Sequence, residues 1–425
     1  MANDLTFTQT AAIMNDILAQ TTGAEQMAPI NTDEFVNVAQ TALKTGYDRV
    51  MDALSQTMTK TLFASRPYTG KFGSIQVTEE AYGNHIRKVN YLANKFEDNM
   101  ARPLENLEPS DPMGLYEDTN SIDQWKIRKP KAIQTNFYGG ETYSTHITRF
   151  KNQLDVAFSD AGEAARFFAG VFQELDNDIE QLNEGKRKMC IANLIATLYT
   201  LDAQDYRKES VVHLLTEYNT VTGQELTKAQ LMQATNYKAF MQWVLTRMDA
   251  IAKRMGERSY MYHTNLTGFE SRFIAEDEGL IPRFTPLNRM KTYIFDEYKT
   301  ALDMRVKADT HHPNFLTMAT NEGVISFQSL ATPDEISVVP SWTAPDGTIQ
   351  TGAADSDLEG TGEAVAVDDI FGIFIDEDAA GMAIVDKWTM STPMNANGGY
   401  MNTFWHWTDK FYNDNTENAV LFLLD

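Results

Sequence analysis

Between residues 33 and 58 the apolar residues Phe35, Val38, Ala42, Val50, Leu54 and Met58 recur at three, four or multiples of those intervals. That is the spacing of one helical face. Thr32 or Asp33 supplies an N-cap, and residues 8–20 read as a second, shorter helix. Two amphipathic helices need something to lie on, either their own core or a neighbouring molecule. From about residue 66 the period shortens to two. FGSIQVTEE (72–80) alternates as a strand, and HIRKVNYL (85–92) carries the Ile, Val and Tyr of another. Residues 97–123 then hold eight acidic side chains and one Arg, with Pro103, Pro109 and Pro112 excluding a helix. WKIRKPKAIQTNFY (125–138) alternates again. The pattern predicts a long two-stranded excursion whose acidic tip lies between two basic flanks. A hairpin of that length is marginal without a partner surface.

The strongest helical signal follows, over about 160–201. Asp160 with Glu163 makes a capping-box start, and Phe168, Val171, Leu175, Ile179, Leu182 and Met189 keep a three-and-four rhythm. Glu174, Asp178, Glu180 and Glu184 face elsewhere. At 1.5 Å per residue such a helix reaches roughly 60 Å, which suits a spine shared by several elements, bent near Gly185. Thr227 with Gln230 caps a second helix whose apolar face is Phe240, Val244, Met248, Ile251 and Met255. Short mixed segments occupy 260–327. Residues 341–364, rich in Gly, Ala, Asp and Thr, read as an exposed or mobile loop. Strand-like runs at 370–375, 382–388, 399–407 and 419–424 end the chain, and there is no internal repeat.

Composition narrows the function. A chain of 425 residues divides into two or three domains. No apolar run reaches the 18 or so residues a membrane helix needs, and the first twenty lack the basic region of a signal peptide. The single cysteine, Cys190, excludes an intramolecular disulfide and a Cys-rich zinc site, and points to synthesis in a reducing cytoplasm. The formal net charge is −23, and residues 351–425 contribute net −12 of it. Such a balance argues against nucleic-acid binding as the main activity, because phosphate contacts need positive surface.

Candidate chemistry is thin. There is no Walker loop, and GTGEAV (360–365) puts Val365 where a dinucleotide fingerprint needs its third glycine. DSDLEG (355–360) opens like a calcium loop, but position twelve from Asp355 is Ala366 rather than Glu. Asp376, Glu377 and Asp378 read as an acidic turn, His311 and His312 are adjacent, His406 sits between two tryptophans, and Cys190 reads as a buried hydrophobe. No catalytic, cofactor or metal site is expected. What stands out is KIRKPK, where Lys126, Arg128, Lys129 and Lys131 fall within six positions. It reads as a nucleic-acid handle, a substrate clamp or a subunit contact. Opposite charges on one projecting element favour contact with another copy, and a head-to-tail contact of that kind builds rings or lattices.

RPYTGKFGSIQVTEEAYGNHIRKVN (66–90), KIRKPKAIQTNFYGGETYSTHITRFKNQLDVAFSD (126–160) and the acidic helix beyond them resemble the major capsid proteins of tailed bacteriophages. The resemblance is greatest to small podoviruses related to phi29 that infect Gram-positive hosts. FGIFIDEDAAGMAIVD and GYMNTFWHWTDKFYNDNTENAVLFLLD resemble the closing segment of those proteins. The resemblance implies an α+β fold, the capsid fold shared by tailed phages and herpesviruses. It implies an N-terminal arm over 1–65, an extended loop over 66–150, a spine helix and peripheral domain over 151–257, an axial domain over 258–369, and a return to the peripheral domain over 370–425. The implied function is structural: pentamers and hexamers forming an icosahedral or prolate shell around double-stranded DNA, with a separate scaffolding protein and a portal, located in the virion. A tail-tube or sheath subunit is the alternative. Arg87, Lys88, Lys126, Arg128, Lys129 and Lys131 would then lie over a neighbouring subunit, meeting carboxylates such as Glu174, Asp178, Glu180 and Glu184 of its spine helix.

Overall fold

The computed structural model describes residues 70–80, 85–92, 131–138, 140–150, 161–266, 282–305 and 321–425. The two helices predicted over 8–20 and 33–58, the predicted acidic tip, and His311 with His312 lie outside them. From Gly70 the chain turns through Gly73–Ile75 into β1 (Gln76–Glu80) and β2 (Ile86–Leu92). β3 (Lys131–Phe137) and β4 (Gly140–Phe150) lead to α1 (Ala161–Ala203). Next come β5 (Val211–His213), α2 (Leu214–Thr222), α3 (Lys228–Leu231) and α4 (Ala234–Met255). Beyond them lie β6 (Met290–Phe295), α5 (Asp296–Arg305) and β7 (Asn321–Val324). Four short strands, β8 (Ile336–Val338), β9 (Ser341–Thr343), β10 (Ile349–Thr351) and β11 (Val365–Val367), precede the C-terminal β12 (Ile370–Asp376), β13 (Ala380–Ser391), β14 (Tyr400–Asn413) and β15 (Ala419–Leu423).

Two sheets organise this α+β chain. The first has five strands in the order β5-β15-β12-β6-β7. Every residue of β12 and β15 is buried, which is why IFGIFI and AVLFL read as continuous apolar runs rather than alternating ones. α4 covers this core with Phe240, Val244, Met248, Ile251 and Met255, all buried as their spacing predicts. In α5, Tyr298 stacks on Phe371 with ring centroids 4.9 Å apart. Gly372 is needed where β12 meets β6, since a Cβ there would lie 2.7 Å from the Tyr293 carbonyl oxygen.

The second sheet has the order β1-β13-β14-β4. β1 runs parallel to β13, while β13, β14 and β4 pair antiparallel. The alternating stretch 72–80 is thus a short turn and a strand of this sheet. Met401, Thr403, Trp405, Trp407 and Asp409 point from β14 into the protein, while Tyr400, Phe404 and His406 stand half-exposed on the other face. β2 and β3 form a separate antiparallel ladder, with Ile86 opposite Phe137 and Leu92 opposite Lys131.

α1 is the expected spine, 43 residues and about 65 Å long. It continues as helix through Gly185. Its middle does not bury the expected stripe, because Leu182 and Met189 are exposed. The buried face there carries Asn183, Glu184, Lys186 and Arg187, between the buried apolar Leu175 before it and Cys190, Ile191, Leu194, Ile195 and Leu198 after it. Charges that find partners inside the chain can be buried, and apolar spacing does not register them. The capping box Thr227–Gln230 forms, but it opens the four-residue α3; α4 starts separately after Gln233.

Residues 341–364 are largely exposed, as expected, but they are not without secondary structure. They form an ordered meander in which β9 pairs with β10 and Ala354 bridges Gly360. Trp342 is buried and donates its indole N–H to the Gly352 carbonyl at 3.0 Å. Trp342, Ala344 and Ala354 pack on Leu201 of α1. The Thr200 hydroxyl accepts the Ala354 amide at 2.8 Å, and Asn193 bonds both the backbone N–H and the carbonyl of Ser341.

Candidate subunit-contact surfaces

The β2–β3 hairpin has two unlike faces, set by the alternation of a strand. Arg87 and Val89 are exposed, whereas Lys88 and Asn90 turn toward the body. The Lys88 ammonium lies 2.8 Å from Asp414 and 2.8 Å from Glu417, and donates to the Asp378 carbonyl at 3.3 Å. Arg283 completes the cluster, 3.2 Å from Glu417 and bonded to the Asn90 side chain at 3.1 Å. Phe137 of β3 stacks on Tyr412 at 4.7 Å.

All four charged groups are largely removed from water, with side-chain exposures of 14% for Lys88 and Arg283, 2% for Asp414 and 10% for Glu417. Burial works against the Lys88 ammonium, yet Asp414 and Glu417 raise it above its ordinary value. Burial likewise opposes the Asp414 carboxylate, but Lys88 and the Thr416 donors hold it below its ordinary range. Glu417 stays above its range, since burial outweighs the pull of Lys88 and Arg283. The two carboxylates sit on the turn joining β14 to β15. That turn is stitched to the meander through Asn415, whose amide donates to the Thr343 carbonyl at 2.8 Å. Arg207 secures it as well, donating to the carbonyls of Asn415 and Tyr262.

The carboxylates of α1 divide by partner. Asp178 is exposed, and Glu174 lies one turn before it on α1. Glu180 pairs with Arg187 at 2.9 Å and accepts the Gly70 amide at 3.2 Å. Glu184 is buried, 3.7 Å from Lys188. Beside them Lys186 pairs with the buried Asp409 of β14 and lies over the Tyr143 ring. Of the residues singled out in the sequence, Lys88, Glu180 and Glu184 are held within the subunit, Arg87 and Asp178 face outward, and Lys131 begins β3. Lys126, Arg128 and Lys129 lie outside the described residues. Asp414, Glu417, Arg283 and Asn90 were missed. The acidic turn NDNTEN looks like solvated surface, and nothing local places it against a strand more than 300 residues away in sequence.

The residues weighed for chemistry have structural roles. Asp376 is buried, accepts the Thr285 hydroxyl at 2.6 Å and caps the Asp378 amide, while Asp378 pairs with Arg289. His406 stacks on Trp388 at 3.9 Å. Cys190 is buried, and burial pushes its thiol up to about 12. Asp355 caps the amides of Asp357 and Glu359. Among the described residues no cluster of three or more His, Cys, Asp or Glu fits a metal ion, and no helix is long and apolar enough to cross a membrane.

A long helix thus packs against both sheets, and a separate hairpin is keyed to the body by buried charges. A family model described as Phi29-like phage major capsid protein matches residues 10–423, and the chain belongs to that family. It is therefore a capsid subunit. Solved structures similar to it include the capsid of Staphylococcus phage Andhra, at 12% identity, covering 83% of each chain with a TM-score of 0.49. A structure of native bacteriophage P68, described by its head fiber and inner core protein gp22, matches at 14% identity over 84% of this chain and 85% of that one, with a TM-score of 0.45. The capsid of cyanophage P-SCSP1u matches at 10% identity over 84% and 88%, with a TM-score of 0.37. No curated protein matches the chain.

Proposed function

We propose that copies of this subunit assemble as pentamers and hexamers into a closed icosahedral or prolate shell around double-stranded DNA. The hairpin bears on a neighbouring copy, and no catalytic step is involved. The observation that carries this reading is the division of β2, where Lys88 and Asn90 are used inside the subunit while Arg87 and Val89 face outward. The basic stretch Lys126, Arg128, Lys129 and Lys131, which leads into β3 in the sequence, is the proposed source of further contact charge. Glu174 and Asp178 on a neighbour's α1 are its partners. The arm 1–65, the loop 66–150, the peripheral segments 151–257 and 370–425, and the axial segment 258–369 are the proposed divisions.

Each exposed pair contributes about 0–1 kcal/mol. Repetition over a closed shell makes such terms sufficient, and their individual weakness lets a misplaced subunit leave. The net charge of −23 repels DNA phosphates, so the genome is enclosed without being held. A separate scaffolding protein guides assembly, a portal occupies one vertex, and the subunit is made in the host cytoplasm before it becomes part of the virion. Changing Lys126, Arg128, Lys129 and Lys131 together to Glu is expected to leave the folded subunit intact. Shells, counted by negative-stain electron microscopy, are expected to fail or to become salt-sensitive. Unimpaired assembly at low salt would refute the contact.

A further inference from the structure

We infer that Lys88 is the positioning residue that sets the direction in which the hairpin leaves the body. The inference deepens the hairpin's proposed role and rests on that reading only for its consequence in the shell. The two buried carboxylates, Asp414 and Glu417, belong to the body and are fixed there. The Asp414 amide donates to Ala379 at 2.7 Å, and Thr416 donates to the Asp414 carboxylate from both its amide and its hydroxyl. Arg283, also of the body, supplies one cation. The second must come from the hairpin, and Lys88 brings it to within 2.8 Å of both carboxylates at once.

A single ammonium shared by two fixed acceptors and a carbonyl is held from three directions. The strand that carries it can neither slide nor rotate without leaving a buried carboxylate unpaired, which is strongly unfavourable. Asn90, two residues along the same face, gives the strand a second point of attachment through Arg283 at 3.1 Å. Phe137 adds a stacked ring from the other strand, but stacking is weakly directional and tolerates sliding. Charge balance therefore selects the hairpin's angle, and the stacked ring supports it.

The test reads the angle directly. Gln134 on β3 and Gln242 on α4 are both exposed, and Q134C with Q242C gives two labelling sites. Buried Cys190, its thiol pushed up to about 12, remains unlabelled. Pulsed electron resonance on the full-length subunit before assembly is expected to give one narrow distance distribution. K88R should preserve it. K88M with D414N removes the cation and its buried carboxylate partner together, and the Arg283–Glu417 pair stays in place. That variant should melt within a few degrees of the parent while its distribution broadens at least twofold. An unchanged narrow distribution would overturn the inference. N90A with F137A, which leaves Lys88 in place, should stay narrow; broadening there would also overturn it, and this arm holds even if the first variant does not fold. Shells formed from K88M with D414N separate the two readings. A broadened angle with uniform, normal shells supports the role of Lys88 and refutes the hairpin's role at the neighbour.

Discussion

Single side chains in this subunit join segments far apart in sequence, and His213 does so where its state depends on pH. Its ring lies between Asp202, at the end of α1, at 3.2 Å and Asp425, beyond β15, at 2.7 Å. Hydrogen bonds with Asp202 and then Asp425 raise it to about 10 against the opposing effect of burial. A group whose pKa rises on folding stabilises the fold in its protonated form. Its contribution is complete below the ordinary histidine value of about 6.5 and is lost as pH rises toward 10. The melting point of the parent should exceed that of H213Q most at pH 6, and the gap should close by pH 10. A gap independent of pH would mean that the ring acts by packing alone. The histidine was legible as a residue, but its two carboxylates were not, since Asp425 reaches it only through the parallel pairing of β15 with β5.

α1 shows what periodicity reports and what it leaves out. Its existence, length and approximate ends follow from local spacing, because helical hydrogen bonds join near neighbours. Which face is buried depends on what packs against it. The four-stranded sheet presents Asp409 and the Tyr143 ring, and Lys186 turns toward them. Gly185 in that stretch is exposed, and a Cβ would meet nothing within 4 Å. G185A should therefore stabilise the unassembled subunit by about 0.5–1 kcal/mol. The urea midpoint would rise with an unchanged slope; a fall would show that the glycine is needed for a bend. α4 is the simpler case, since its apolar face packs on an apolar sheet and the two criteria agree.

The whole molecule is held by pairings of high sequence separation. β15, at the C-terminal end of the described chain, lies between β5 and β12 in the five-stranded sheet. Its residues Val420 to Leu423, with Leu424, are at most 1% exposed. At roughly 1.5–3 kcal/mol for each apolar side chain, they contribute about as much as the 5–15 kcal/mol by which a typical domain is stable. A chain ending at Asn418 should show no cooperative thermal transition, whereas residual cooperative melting would place the stability elsewhere. Removing the strand also withdraws a pairing partner from each neighbour, and buried backbone groups then go unsatisfied.

By itself the sequence determined α1 and the apolar face of α4, the two strands of the hairpin, the apolar C-terminal strands, and, through its resemblance, the capsid family. These rest on local spacing, local charge and short blocks of residues. Tertiary structure decided that 76–80 pairs in parallel with β13. It decided that 341–364 folds against α1 around Trp342, and that Lys88 faces Asp414 and Glu417 of its own subunit. Strand pairing, burial of a meander and neutralisation of a buried charge each depend on a partner far along the chain, and no local pattern specifies that partner.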